Sequence, residues 1–264
     1  MGDQLGRDRH ARDARLAGTA ARIFGTAIAL VGLVHAISGE AATRLFPFWP
    51  EVLPGRPYWA HAAGLALGVF GTMVALGRRP REAALGIAGI VALAVLALHL
   101  PRAVESAAPG NAWLSVLKFS ALAAGAILVA RVFPGRPHLN GAVVTRLAAW
   151  LLAAFLAYSG YVHLRHTAAV TRLLPAWMPW QMFWVAFTGV ALIAGGLGLL
   201  VARTARVAAT LTSVMIAGFF VLVHIPRTLN DVTGSTGWLE LGESTAYCML
   251  ALILATAVRG ERTG

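Results

Sequence analysis

Six of the eight histidines lie at the ends of long apolar segments, where an imidazole could bond a carbonyl or hold a proton. These residues are His35, His61, His99, His163, His166 and His224. Seven of the eight tryptophans lie at the same ends of the segments. Aromatic side chains anchored at the level of the lipid headgroups would give the same pattern. The histidines are therefore compatible either with a polar binding site or with an interfacial aromatic belt.

Two of these histidines, His99 and His224, each stand two residues before a Pro-Arg pair. Because proline has no N–H to donate, we expect the helix to fray at this point and to free backbone carbonyls. Arg102 and Arg227 then either cap the helix C-terminus, where a cation is favoured, or anchor an anionic or carbonyl-bearing ligand.

The segments that position these residues are apolar enough for lipid. The 264 residues are 58% hydrophobic and 12% charged, and soluble domains carry about 25% charged residues. Continuous apolar runs exclude an ordinary soluble globule and a disordered chain. They also argue against a membrane β-barrel, whose strands alternate apolar and polar residues. The sequence therefore predicts an all-α integral membrane protein with eight transmembrane helices. The runs fall at about 23–38, 58–76, 83–100, 113–132, 144–163, 182–202, 207–225 and 239–258.

The arginines predict the orientation. Fifteen lie on the side of the two chain ends and six on the other side. The positive-inside rule then places both termini in the cytoplasm of a multi-pass protein. We expect the first helix to begin near Leu16, after a solvated basic tail. Arginine, alanine and glycine are abundant and Lys118 is the only lysine, which indicates a bacterial inner-membrane protein.

The chain repeats a four-helix unit. Residues 32–35 (GLVH) match 160–163 (GYVH) at an offset of 128, and residues 98–102 (LHLPR) match 223–227 (VHIPR) at an offset of 125. An even number of spans in each unit predicts two parallel repeats related by an axis along the membrane normal. The predicted parts are a cytoplasmic basic tail (1–22), the first four-helix repeat (23–132), a cytoplasmic linker (133–143), the second repeat (144–259) and a cytoplasmic tail (260–264).

Glycines at close-packing spacings lie in spans 2 and 6, and we expect them to form seams between neighbouring helices. They are Gly64, Gly68, Gly71, Gly195, Gly196 and Gly198.

Two carboxylates, Glu240 and Glu243, open the last span after Trp238. Glu243 lies about 7 Å deeper than Trp238 along a helix, and its equivalent in the first repeat is Lys118. An unpaired charge below the headgroups is costly, so we expect Lys118 and Glu243 to form an ion pair. The alternative is that each side chain extends separately to the membrane surface. The pair should lie at the outer mouth of a cavity lined by some of His35, His99, His163 and His224.

Other chemistry was weighed against these residues. Zinc or copper could use His163 and His166, three residues apart, and haem could lie between histidine pairs. Ser38 stands in the first repeat where His166 stands in the second, and no HExxH motif exists. We therefore predict neither a metal site nor an intrinsic cofactor. The single cysteine, Cys248, excludes disulfide chemistry within the chain.

In these motifs the chain resembles the DoxX-like family of bacterial membrane proteins, which includes the DoxD subunit of thiosulfate:quinone oxidoreductase and MauE. The resemblance covers residues 23–258. It rests on the Gly-x-x-His end of span 1, the Arg-Leu-x-Pro-x-Trp loop, the His-x-Pro end of span 3 and the Trp-x-Glu-x-x-Glu opening of span 4. Family members are usually single four-helix units, so this chain looks like a tandem fusion. Its first copy departs from the pattern at Ser115 and Lys118.

The resemblance implies a redox-associated membrane subunit, often linked to the quinone pool. The residues then predict a quinone-like or other amphipathic ligand in the outer half, with membrane lipid and a redox protein as partners. Basic residues form no patch with aromatics, which argues against nucleic acid. A transporter or flippase and a non-catalytic scaffold are the alternatives. The predicted ligand-binding residues are His35, His99, His163, His224, Arg102, Arg227, Glu240, Glu243 and Lys118.

Overall fold

The eight predicted spans are confirmed as helices. In the computed structural model, residues 2–39, 55–106, 110–135 and 140–260 are described, and within these ranges there is no strand. Eight helices are long and apolar enough to cross a bilayer core of about 30 Å. They are α1 (Gly2–Ser38), α2 (Arg56–Leu76), α3 (Pro80–Glu105), α4 (Gly110–Val132), α5 (Gly141–Arg165), α6 (Gln181–Leu200), α7 (Ala205–Asn230) and α8 (Ser235–Gly260).

Helix α1 begins at Gly2, so the expectation that it begins near Leu16 is wrong. Opposite charges four residues apart, as in Asp8 and Arg12, support a helix through the exposed basic tail. At 37 residues α1 is about 55 Å long, which exceeds the thickness of the bilayer core.

The helices of each half form a ring. In the first half α1 packs on α2, α2 on α3, α3 on α4, and α4 touches α1. The helices α5 to α8 make the same four contacts in the second half. Between the halves α1 packs on α8, α4 packs on α5, and α4 meets α8 at the centre. Every helix of the first half therefore has the neighbours that its counterpart has in the second half.

The two ends of the bundle differ in polarity. We call the end at which α1, α3, α5 and α7 reach their histidines the histidine end. The opposite end, where α2 and α3 join through Arg78 and Arg79, is the arginine end.

The predicted glycine seams are confirmed where two backbones approach. A Cβ on Gly64 would lie 2.5 Å from the backbone N of Ala36 and 2.8 Å from Cβ of His35, so α2 lies directly against α1. In the second half a Cβ on Gly196 would lie 2.7 Å from the carbonyl oxygen of Ala153 in α5. Close contact of this kind holds helices together in lipid, and it fixes the backbone that carries His35.

The predicted fraying at the Pro-Arg pairs does not occur. Helices α3 and α7 continue past the prolines to Glu105 and Asn230. Each contains one π-turn just before the proline, at Val95–His99 and Phe220–His224. A π-turn adds one residue to the helical turn, which accommodates the proline ring and its missing N–H without ending the helix. Single π-turns of this kind are frequent at functional sites.

Candidate functional site

The four histidines at the span ends occupy two different environments. His35 and His99 are each 1% exposed, whereas His163 and His224 are only partly buried. Nδ1 of His35 lies 2.9 Å from the carbonyl oxygen of Val31, and Nδ1 of His163 lies 2.8 Å from that of Ser159. Because a carbonyl only accepts, Nδ1 carries the proton in both rings and Nε2 has the acceptor role in the neutral form.

The predicted ion pair between the halves is confirmed and is called here the central ion pair. Nζ of Lys118 lies 2.7 Å from Oε2 of Glu243, and the side chains are 18% and 11% exposed. The Tyr247 hydroxyl donates to the carbonyl oxygen of Lys118 at 2.5 Å. Nζ of Lys118 also lies 4.7 Å from the centroid of the Phe119 ring, within cation–π range. The ion pair and the Tyr247 hydrogen bond tie α4 to α8.

A cavity of about 20 Å³ lies beside the central ion pair, between α1 to α4 and α8. Of the four histidines that the sequence proposed for such a cavity, His35 lines it, together with Glu243. The other lining residues are apolar: Ile28, Val31, Leu67, Val91, Phe119, Leu122 and Ala246. This volume accepts one water molecule and excludes an aromatic head group.

A second polar group, called here the α7–α8 cluster, consists of His224, Arg227 and Glu240. Oε2 of Glu240 lies 2.8 Å from Nη1 of Arg227 and 3.5 Å from Nδ1 of His224. The side chain of Glu240 is 11% exposed, and those of His224 and Arg227 are 22% and 29% exposed. A carboxylate is thus held between a permanent cation and an imidazole, both accessible from outside the protein.

Among the residues that the structure describes, His99, Arg102 and Ser115 of the first half show no ion pair like that of Glu240 with Arg227. The ring of His99 stacks on Phe119, with centroids 4.7 Å apart. Arg102 is exposed, and Ser115 stands where Glu240 stands in the second half. The structure therefore divides the nine predicted site residues. It unites His35 with the central ion pair and His224 with Arg227 and Glu240, and it leaves the others outside both groups.

The second half is the more open one near the histidine end. The π-turn of α3 buries Val95, Leu98 and His99, whereas the π-turn of α7 buries none of its residues. Ser244 occupies the position of Phe119, and no aromatic ring of the described residues stacks on His224 as Phe119 stacks on His99. Sequence reasoning missed Phe119, Ser244 and Tyr247, although comparing the halves at the offset of 125 would have revealed the first two.

Within the described residues no three histidine, cysteine or carboxylate side chains lie close enough to hold a metal ion. The two clusters are instead built from opposite charges and imidazoles, which suit hydrogen bonding and proton transfer.

The fold and these clusters define a multi-pass, all-α membrane protein with two partly buried ionic clusters toward its histidine end. A family model described as a domain of unknown function (DUF8561) matches residues 152–258, which lie in α5 to α8. No curated protein and no solved structure matches the chain. The matched range contains the whole α7–α8 cluster and half of the central ion pair.

Proposed function

We propose that this protein binds the polar head of a quinone-like, amphipathic ligand at the α7–α8 cluster and serves a membrane redox system. The observation that carries the proposal is the contact of Arg227 and His224 with Glu240: the contacting oxygen is buried, whereas the Arg227 and His224 side chains are 29% and 22% exposed. Amphipathic ligands bind where an apolar site offers a few convergent polar groups. The DoxX-like motifs support the redox context.

The three side chains have complementary roles toward such a ligand. A guanidinium and an imidazole N–H donate hydrogen bonds to ligand carbonyls, and Glu240 can accept a proton from the reduced ligand or return it. The chain has no flavin, haem or iron–sulfur motif, so electrons would pass between the ligand and a partner protein.

Orientation is part of the proposal. The fifteen arginines on the side of the chain ends favour a cytoplasmic arginine end and an outward histidine end in a bacterial inner membrane. Reporter fusions after Arg81 and Arg136 should then read as cytoplasmic, and a fusion near Pro109 should read as exported. A cytoplasmic reading near Pro109 would contradict this topology.

Quinone binding tests the site directly. The protein would be purified in nanodiscs, its lipid extract analysed by mass spectrometry, and a short-chain quinone titrated into the sample. Arg227→Gln and Glu240→Gln should each weaken binding by about tenfold, the size of one lost charge-assisted hydrogen bond. The matched control is Arg102→Gln, the exposed equivalent in the first half, which should bind as the wild type does. Absence of quinone binding, or equal losses at Arg102 and Arg227, would reject the proposal.

Transport is the second candidate, because each helix has the same neighbours as its counterpart in the other half. We infer from this correspondence and from the sequence repeat that the halves are duplicated and related by an axis along the membrane normal, a plan found in transporters. Uptake of a solute by liposomes that contain this protein alone would favour transport over a redox role.

A further inference from the structure

The two halves differ where the second helix of each meets the third. In the first half, Phe70 of α2 fills this interface and packs on Gly86 of α3, where an added Cβ would lie 2.6 Å from the ring. Ile87 beside it is completely buried. This interface is therefore closed by two large apolar side chains.

The equivalent interface of the second half carries small and polar residues. At the offset of 125, Phe70 corresponds to Gly195 and Ile87 to Thr212. Trp59 and Trp184, and Gly64 and Gly189, share this offset and support the alignment of α2 with α6. Oγ1 of Thr212 lies 3.0 Å from the position that a Cβ on Gly195 would take. The hydroxyl thus occupies part of the space that an aromatic ring fills in the other half.

The Thr212 hydroxyl is buried and unsatisfied. The residue is 2% exposed, and its oxygen has no hydrogen-bond partner among the described residues. Threonines in helices usually donate to a carbonyl one turn back, as Thr210 does to Arg206 at 2.9 Å. A hydroxyl without a partner in a membrane interior is costly, and water is the small molecule that normally satisfies such a group.

Polar residues continue from this point toward the histidine end. Thr188, Ser244 and Ser159 stand where the first half has Ala63, Phe119 and Val31. Thr188 and Ser244 are each 8% exposed, which places them inside the protein. Thr212 lies about 18 Å below His224 along α7 and about 10 Å from the start of that helix at the arginine end. The buried hydroxyls of the second half thus begin about 10 Å from the arginine end, and the Ser244 hydroxyl donates to the carbonyl oxygen of Leu241 at 3.0 Å.

We propose that the interior of the second half holds a file of water molecules that carries protons between the arginine end and the α7–α8 cluster. The water file is independent of the proposed function. Only the identity of the ligand that exchanges protons with Glu240 rests on it. Each proton passes from one water to the next and then binds the Glu240 carboxylate, so no electron donor or other reactant is needed. In the first half the large apolar side chains of Phe70, Ile87 and Phe119 occupy the equivalent positions.

Proton flux in proteoliposomes tests the file. The full chain would be reconstituted in phosphatidylethanolamine and phosphatidylglycerol vesicles with a potassium gradient, valinomycin and an enclosed pH-sensitive dye. The internal pH of vesicles that contain the wild-type protein should change faster than that of protein-free vesicles. Thr212→Val keeps the side-chain volume, removes the hydroxyl and should return the flux to the protein-free level. The matched control is Thr210→Val on the exposed face of the same helix, which should conduct as the wild type does.

A second variant separates the water file from a folding defect. Ser244→Phe places in the second half the phenylalanine that the first half has at Phe119. Because Ser244 lies nearer the histidine end than Thr212, this variant should block the file at a second point and also abolish the proton flux. Circular dichroism and size-exclusion profiles of both variants should match those of the wild type. Wild-type flux no faster than that of protein-free vesicles, or Thr212→Val flux equal to the wild type, would overturn the inference.

Quinone titration of the same samples keeps the two proposals apart. Thr212→Val should bind quinone as the wild type does while its proton flux is lost. Quinone binding without wild-type proton flux would reject the water file alone. Proton flux without quinone binding would reject the proposed ligand and leave the file supported.

Discussion

The first half buries His35 and His99, whereas the second half leaves the equivalent His163 and His224 partly exposed. Phe119 covers His99, and a cavity of about 20 Å³ remains beside His35. In the second half Ser244 replaces that ring, and His224 meets Glu240 and Arg227 instead. The two halves thus share one set of helix contacts, while side-chain volume decides which equivalent histidine is covered and which is left partly exposed.

The largest effect should come from the contact that joins the halves. Lys118→Glu or Glu243→Lys places two like charges where the central ion pair now lies, and each should destabilise the protein by about 3–5 kcal/mol. The double swap should recover much of this loss, because the opposite charges meet again. Thermal unfolding of the four proteins in one detergent gives the coupling energy. Additive losses in the double swap would show that the two charges do not interact.

A smaller effect is expected from truncating equivalent histidines. His99→Ala removes a buried ring stacked on Phe119 and should cost about 2–4 kcal/mol, since the surrounding helices cannot fully close the space. His224→Ala should cost less than about 1 kcal/mol, because that ring is already partly exposed. Unfolding midpoints of both variants measure the difference. Equal losses would mean that the halves are equally well packed.

Chemical reactivity of the histidines tests the accessibility directly. In nanodiscs, diethylpyrocarbonate should modify His224 several-fold faster than His99, because a 1% exposed ring is shielded from the reagent. Ser244→Phe should slow the reaction at His224 by covering it as Phe119 covers His99. Peptide mass spectrometry after short exposures gives the rates, and exposed His61 serves as the internal standard. Similar rates at His99 and His224 would contradict the proposed difference.

The smallest effect should follow from a hydroxyl found only in the second half. Thr228 donates to the carbonyl oxygen of His224 at 2.8 Å, and the equivalent residue of the first half is Ala103. Thr228→Ala should destabilise the protein by less than about 1 kcal/mol, as one hydrogen bond within a helix contributes little net free energy. Thermal unfolding measures the shift. A loss as large as that of His99→Ala would show that this bond holds the π-turn of α7 in place.

The sequence by itself determined the eight helices, the end at which the histidines collect and the pairing of Lys118 with Glu243. Apolar length selects membrane-crossing helices because lipid offers the backbone no hydrogen bonds. Because an unpaired charge in the membrane is costly, opposite charges at equivalent positions of the two halves are expected to form an ion pair. Both rules act on residue type and spacing, which are visible in the printed chain.

Only the tertiary structure decided which histidine is covered, which meets a carboxylate and how the helices pass their prolines. The same His-x-Pro-Arg pattern gives a buried ring at His99 and an accessible one at His224, because the covering residue comes from the neighbouring helix. The contact of Glu240 with Arg227 likewise depends on how α7 packs against α8. Side chains from different helices pack together into one space. The sequence of a single segment does not show which side chains of the other helices will lie against it.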